Sequence, residues 1–173
     1  MSENIFNLTD IRIEVSFKSY EELRLILSFY QENNLYNINI PCKNDLNRDF
    51  LLNSIRISRE EFPDINVIPH FSILHEFNRS KINTLKSFLE FSQVVKKLGC
   101  NEVLLVSGSQ PRKTLDSLSA LNFLKDNKLF SKTDLSIGVA FNPYLSSLMF
   151  DEEIRKLENK LNSGLVNSIW IQF

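Results

Sequence analysis

The stretch Leu98-Gly99-Cys100-Asn101-Glu102-Val103-Leu104-Leu105-Val106 decides the fold of this chain. It joins the end of an amphipathic helix to a short apolar run, with Gly99 where a C′ glycine closes a helix. The run is apolar enough to be buried on both faces, as the strands of parallel sheets are. A helix that leads directly into such a strand is typical of a parallel βαβ sheet.

The same unit recurs from one end of the chain to the other. We predict strands at residues 11–17, 36–42, 65–73, 102–106, 135–141 and 168–173. Helices separate them, the first capped by Ser19 and the fifth by Asp151. Strands that alternate with helices predict an α/β fold with a parallel, TIM-barrel-like sheet of about six strands. Because such barrels normally have eight strands, we expect one domain over residues 1–173 whose barrel is incomplete at the C-terminal end.

Composition and charge exclude several classes of partner. The 173 residues are 43% hydrophobic and 24% charged, which is ordinary for a globular domain. The 20 basic residues are dispersed among 21 acidic ones, giving a net charge of −1. Such a balance favours neither a nucleic acid nor a membrane surface as partner.

The cysteines and the N-terminus predict a cytoplasmic protein. Cys42 and Cys100 lie far apart and form no CxxC pair, which is typical of a reducing compartment. The N-terminus has no basic start and no apolar segment of a secretory signal. His75-Glu76 matches half of a zinc motif but lacks its second histidine, so we predict no metal site.

Three short segments at predicted strand ends carry a resemblance to a known family: Ile68-Pro69-His70-Phe71-Ser72-Ile73, Val106-Ser107-Gly108-Ser109-Gln110-Pro111 and Ile171-Gln172-Phe173. In order and spacing they resemble the methylenetetrahydrofolate reductase family, over the first three-quarters of its catalytic domain. The resemblance implies a flavin-dependent barrel enzyme that reduces 5,10-methylenetetrahydrofolate to 5-methyltetrahydrofolate in one-carbon metabolism and methionine biosynthesis. It further implies FAD as cofactor, NAD(P)H as reductant and a folate as ligand.

The resemblance assigns roles to three charged or titratable residues. Glu14 would be the catalytic acid, a role that requires a buried, protonated carboxyl group. His70 would contact the flavin, and Lys160 would reach its phosphates. From the residues alone, the alternatives are a surface carboxylate for Glu14, a hydrogen-bonded structural residue for His70 and a solvated helix residue for Lys160.

Three further positions complete the implied site. Gly108 would let the backbone approach the cofactor. Ser109 occupies the cofactor-binding position of a family aspartate, and Gln172 would bind the pterin ring of the folate through its amide.

Departures from the family leave two alternatives open. Ser107 and Ser109 stand where the family has an arginine and an aspartate, and these changes favour a non-catalytic relative that acts as a folate- or flavin-binding or protein-interaction module. An unrelated open α/β nucleotide-binding module is the other alternative, although the chain has no GxGxxG or Walker A sequence. In each case the open sheet edges predict a homo-oligomer or a partner chain that covers them.

Overall fold

The structure is a computed structural model that describes residues 12–42, 48–76, 80–108, 115–130 and 135–171. Strands and helices alternate throughout. The strands are β1 (Arg12–Glu14), β2 (Asn37–Ile40), β3 (Asn66–Ser72), β4 (Glu102–Val106), β5 (Ser136–Phe141) and β6 (Val166–Ile171). The helices are α1 (Tyr20–Glu32), α2 (Arg48–Glu61), α3 (Lys81–Lys97), α4 (Ser117–Asp126) and α5 (Ser147–Asn162).

The six strands form one parallel sheet in the sequential order β1-β2-β3-β4-β5-β6. Sequential parallel order with a helix after each strand is the arrangement of a TIM barrel, here as an open half-barrel. The predicted fold class is therefore confirmed: a TIM-barrel-like α/β sheet of six strands that does not close.

The hydrophobic core lies between the outer face of the sheet and the helices. Phe71 on β3 is 1% exposed, and its ring packs edge-on against Phe88 of α3 at a centroid distance of 5.1 Å. Val67, Val103 and Val139 on β3, β4 and β5 are fully buried in the same cluster. Alternate residues of these strands therefore face the helices.

Local signals set the start of α1 and the end of α3, but not the start of α5. The Ser19 hydroxyl accepts a hydrogen bond from the backbone N–H of Glu22, so the predicted cap of α1 is confirmed. Gly99 follows α3 with a positive φ of 88°, where glycine has no steric penalty. The expectation for Asp151 was wrong, because α5 begins one turn earlier at Ser147, after Pro143 and a turn.

Strand β6 contains an irregularity that orients its side chains. Ile137 pairs with Val166, but Gly138 pairs with Ser168, so β6 carries one extra residue at Asn167. Such a bulge changes which face the following side chains occupy. No helix in the described part of the chain is long and apolar enough to cross a membrane.

Candidate functional site

A cavity of about 1280 Å³ opens at the inner face and the carboxyl edge of the sheet. Side chains of β1, β2, β3 and β6 line its inner wall, including Glu14, Asn39 and His70. Asp116, which caps α4, and residues of α4 and α5 line another wall. Ligand sites in parallel α/β proteins lie at this edge, because the loops that follow the strands meet there.

Asn39 and His70 form a buried polar pair on the inner wall. Asn39 on β2 is 4% exposed and His70 on β3 is 8% exposed. The Asn39 Nδ2 atom lies 2.8 Å from His70 Nε2. Burial lowers the pKa of His70 to about 4, so its imidazole is neutral near pH 7. In the neutral tautomer that carries its proton on Nδ1, Nε2 accepts the hydrogen bond from the Asn39 amide nitrogen.

The amide oxygen of Asn39 is in a different situation from its nitrogen. This Oδ1 atom is buried and, within the described residues, has no hydrogen-bond partner. An unpaired buried acceptor costs about 1–3 kcal/mol, and Asn39 is one of the residues that line the cavity. A donor from a bound molecule would remove that cost.

Glu14 lies beside this pair but is not bonded to it. Its Oε2 atom is 3.9 Å from His70 Nε2, beyond hydrogen-bond distance, and the neutral imidazole forms no ion pair with it. The Glu14 side chain is 54% exposed, a more open setting than the acid role implied by the resemblance requires. Its carboxylate adds a second acceptor to this wall.

A second polar cluster crosses the inner face and was not foreseen from the sequence. Arg12 on β1 donates from Nη1 to Glu102 Oε2 on β4 at 3.2 Å, and its guanidinium lies 5.3 Å from the Trp170 ring centroid on β6. The Trp170 indole N–H donates to Glu102 Oε1 at 3.3 Å, and the Ser168 hydroxyl donates to the same oxygen. This cluster joins β1, β4 and β6 across the hollow of the half-barrel.

Gly138 on β5 makes room for that cluster. A Cβ atom at this position would lie 2.6 Å from Trp170 Nε1, 2.7 Å from Ser168 Oγ and 2.9 Å from Glu102 Oε1. All three distances are shorter than real Cβ contacts, so any side chain here would displace the network.

Lys160 lines the cavity from α5 and is 7% exposed. Its Nζ atom donates to the main-chain oxygen of Ala140 at 3.3 Å. Burial lowers the pKa of the Lys160 amine, the carboxylates of Glu153 and Asp116 oppose this effect, and the ammonium group of Lys156 adds to it. The alternative of a solvated helix residue is therefore wrong for Lys160.

Gly108 has a structural explanation in its surroundings. Its φ is +94°, and a Cβ atom there would lie 2.5 Å from Leu74 Cβ. Both the left-handed conformation and the packing against Leu74 require glycine at this position. The predicted contact between Gly108 and a cofactor stays a prediction.

Two of the predicted site residues, Ser109 and Gln172, lie outside the described residues. Of the others, Glu14, His70, Gly108 and Lys160 all line the one cavity. Asn39, the residue that gives the site its unpaired acceptor, was not predicted as a site residue. A polar residue between Ile38 and Ile40 in an otherwise buried strand was the available signal.

Among solved structures, the chain is similar to dihydrodipicolinate synthase, with a TM-score of 0.51 and 13% sequence identity. The match covers 91% of this chain but 62% of that protein, so the chain spans less than two thirds of its length. At this identity the similarity shows the fold alone. No protein-family model and no curated protein matches the sequence.

The resemblance to methylenetetrahydrofolate reductase is wrong. The structural neighbour is a synthase, and no family model supports the reductase. Two of the three segments that carried the resemblance are explained by the parallel barrel fold, and residues 172–173 of the third lie outside the described residues. Gly108 is required by its backbone conformation and by Leu74, and the Pro69-His70-Phe71 run alternates between the inner and outer faces of β3. Short matches of this kind follow from the fold without common function.

Proposed function

We propose that this chain binds a small polar molecule that presents hydrogen-bond donors to the inner wall of the cavity. The observation that carries the proposal is the buried, unpaired Oδ1 atom of Asn39. Native proteins pair the large majority of their buried polar groups, so an unpaired one on a residue that lines a cavity favours a missing ligand. This proposal concerns binding and does not require turnover.

The charges around Asn39 select the polarity of the ligand. His70 is neutral and its Nε2 atom lies 2.8 Å from Asn39 Nδ2, so the amide oxygen is the atom of Asn39 that stays available as an acceptor. The carboxylate of Glu14 lies beside it and is half exposed. A wall made of an amide oxygen and a carboxylate accepts hydrogen bonds, so it favours hydroxyl, amide or ammonium groups on the ligand.

Ligand-induced thermal shifts test the proposal. The probes are FAD, NADPH, tetrahydrofolate and a set of small amines, amides and sugars. The structure gives no support to a flavin, a nicotinamide or a folate, so these ligands stay predictions that the same measurement decides. We expect a donor-bearing probe to raise the Tm of the wild-type chain by mass action.

The Asn39→Leu variant tests whether the probe that raises the Tm binds at Asn39. Leucine has the same branching and number of side-chain heavy atoms as asparagine but offers no acceptor, so loss of one hydrogen bond should raise the Kd roughly tenfold. Asn37→Ala is the matched control, because Asn37 lies on the same strand, accepts from Asn66 Nδ2 and does not line the cavity. An unchanged Kd in Asn39→Leu would contradict the proposal.

A cytoplasmic location is also part of this proposal. Cys42 and Cys100 are both free, and their thiols are most stable in a reducing compartment. A partner chain or a second copy at the sheet edge stays a prediction. The exposure of Ile169 and Ile171 on the edge strand β6, 45% and 54%, favours it.

A further inference from the structure

We propose that two copies of this chain associate through the open side of the half-barrel, with helix α1 of each copy packed on strand β6 of the other. The contact surfaces are the α1 patch, made of Leu25 and Phe29, and the β6 patch, made of Ile169 and Ile171. This inference goes beyond the proposed small-molecule binding, and it identifies the partner that was predicted for the sheet edge.

Strand β6 exposes a position that is buried on its neighbour β5. Val139 on β5 and Ile169 on β6 are paired in register, so their side chains lie on the same face of the sheet. Val139 is fully buried in the core, but Ile169 is 45% exposed. Helices precede and follow β5, whereas no helix follows β6 within the described residues. The β6 patch therefore lacks a helix of the kind that covers β5.

Helix α1 carries an apolar patch of the matching kind. Leu25 is 73% exposed and Phe29 is 56% exposed, and their spacing of four residues puts them on one face of the helix. Arg24 forms an ion pair with Glu61 of α2, so it marks the side of α1 that faces α2. With about 100° between successive residues, Leu25 and Phe29 are turned away from that side. Apolar side chains at this spacing are typical of a helix that docks on an apolar surface.

The two patches flank the same opening of the half-barrel. Helix α1 contacts α2 and helix α5 contacts α4, so α1 and α5 lie at the two ends of the helical layer. The sheet is curved so that the Arg12 guanidinium on β1 lies 5.3 Å from the Trp170 ring centroid on β6. Because the first and last strands face each other across one hollow, a two-fold axis through the opening brings each α1 patch to the β6 patch of the other copy.

A second copy fits this surface better than an unrelated helix does. A two-fold interface forms the same contact twice, so both apolar patches leave water in one association. A foreign helix would cover the β6 patch but leave Leu25 and Phe29 exposed. Strand β6 has no charged residue over 166–171, so the apolar face of α1 would bury no charge of that strand. The net charge of −1 on each chain leaves little repulsion between two copies.

Sedimentation velocity of the full chain over a range of concentrations tests the inference. We expect the wild type to pass from monomer to dimer as the concentration rises. Phe29→Glu and Ile169→Lys each place a charge in an apolar contact, so each should raise the dimer Kd at least about thirtyfold. Ile82→Lys is the matched control, because Ile82 is 54% exposed on α3 in the middle of the helical layer. Its dimer Kd should equal that of the wild type.

Mixing the two charged variants identifies the contact. A dimer of one Phe29→Glu chain and one Ile169→Lys chain has one wild-type contact and one contact that opposes glutamate to lysine. It should therefore form at concentrations where each variant alone is monomeric. Circular dichroism checks the fold of each variant, and Phe29→Ser or Ile169→Ser replaces a charged variant that does not fold.

Three outcomes would overturn the inference. They are a wild type that stays monomeric at its highest soluble concentration, a dimer that the substitutions at Phe29 and Ile169 leave unchanged, and a mixture that associates no better than its components. Asn39→Leu should dimerise as the wild type does. Failure of the dimer therefore leaves the small-molecule proposal standing, and failure of that proposal leaves the dimer.

Discussion

The two faces of one sheet differ in almost every property. On β3, Phe71 points outward into an aromatic cluster with Phe88 and Phe91, whereas its neighbour His70 points inward and bonds to Asn39. The outer face is apolar and closed by helices. The inner face, which branched apolar residues fill in complete barrels, here carries polar side chains such as Glu14, Asn39, His70, Glu102 and Ser168. The outer face therefore supplies stability, and the inner face supplies the groups available for chemistry.

The largest expected effect tests the outer face. Phe71→Ala should lower the free energy of unfolding by about 3–5 kcal/mol, because it empties the centre of the aromatic cluster. Urea denaturation followed by circular dichroism measures the change. Leu104→Ala is the matched variant, since Leu104 is 4% exposed but lines the cavity on the inner face. Equal decreases in the free energy of unfolding of the two variants would contradict the difference between the two faces.

A somewhat smaller effect tests the inner face through pH. The folded state holds the pKa of His70 at about 4, below the ordinary value of 6.5, so the unfolded state binds more protons between these values. The contribution of His70 to the free energy of unfolding is therefore fully present above pH 6.5. It decreases by about 3 kcal/mol as the pH falls toward 4.

The difference between wild type and His70→Gln isolates that contribution. The free energy of unfolding of His70→Gln should depend less steeply on pH over this window, and His75→Gln serves as the control for the chain's other histidine. Parallel pH profiles for wild type and His70→Gln would show that burial of the imidazole does not matter to folding.

The smallest of the three effects concerns the cluster around Trp170. Gly138→Ala should cost about 1–3 kcal/mol, because its Cβ would overlap Trp170, Ser168 and Glu102. Trp170 is the chain's single tryptophan, so its fluorescence emission reports directly on this cluster. Gly164→Ala is the control: a Cβ there has open space, but its φ of 74° disfavours alanine. That control should lose stability without a change in emission, and an unchanged emission in Gly138→Ala would contradict the packing described.

Local signals predicted the elements well because their causes are local. Ser19 caps α1 and Gly99 follows α3 as expected, since each acts within one turn of its own position. Asp151 failed as a cap because several polar residues near Pro143 can begin a helix, and the chain begins it at Ser147. The family resemblance failed for a related reason: short strand-end segments report the fold, and the function depends on which side chains meet.

The sequence by itself determined the alternation of strands and helices, their parallel order and the outer core, because periodicity and turn residues are properties of neighbouring positions. Only the tertiary structure determines which side chains meet on the inner face. Arg12 and Glu102 are 90 residues apart, and Glu102 and Ser168 are 66 apart, so no local pattern pairs them. The depth of Lys160 beside Ala140, and the amide oxygen that Asn39 leaves unpaired, likewise exist only once the sheet has curved and brought distant strands and helices around one cavity.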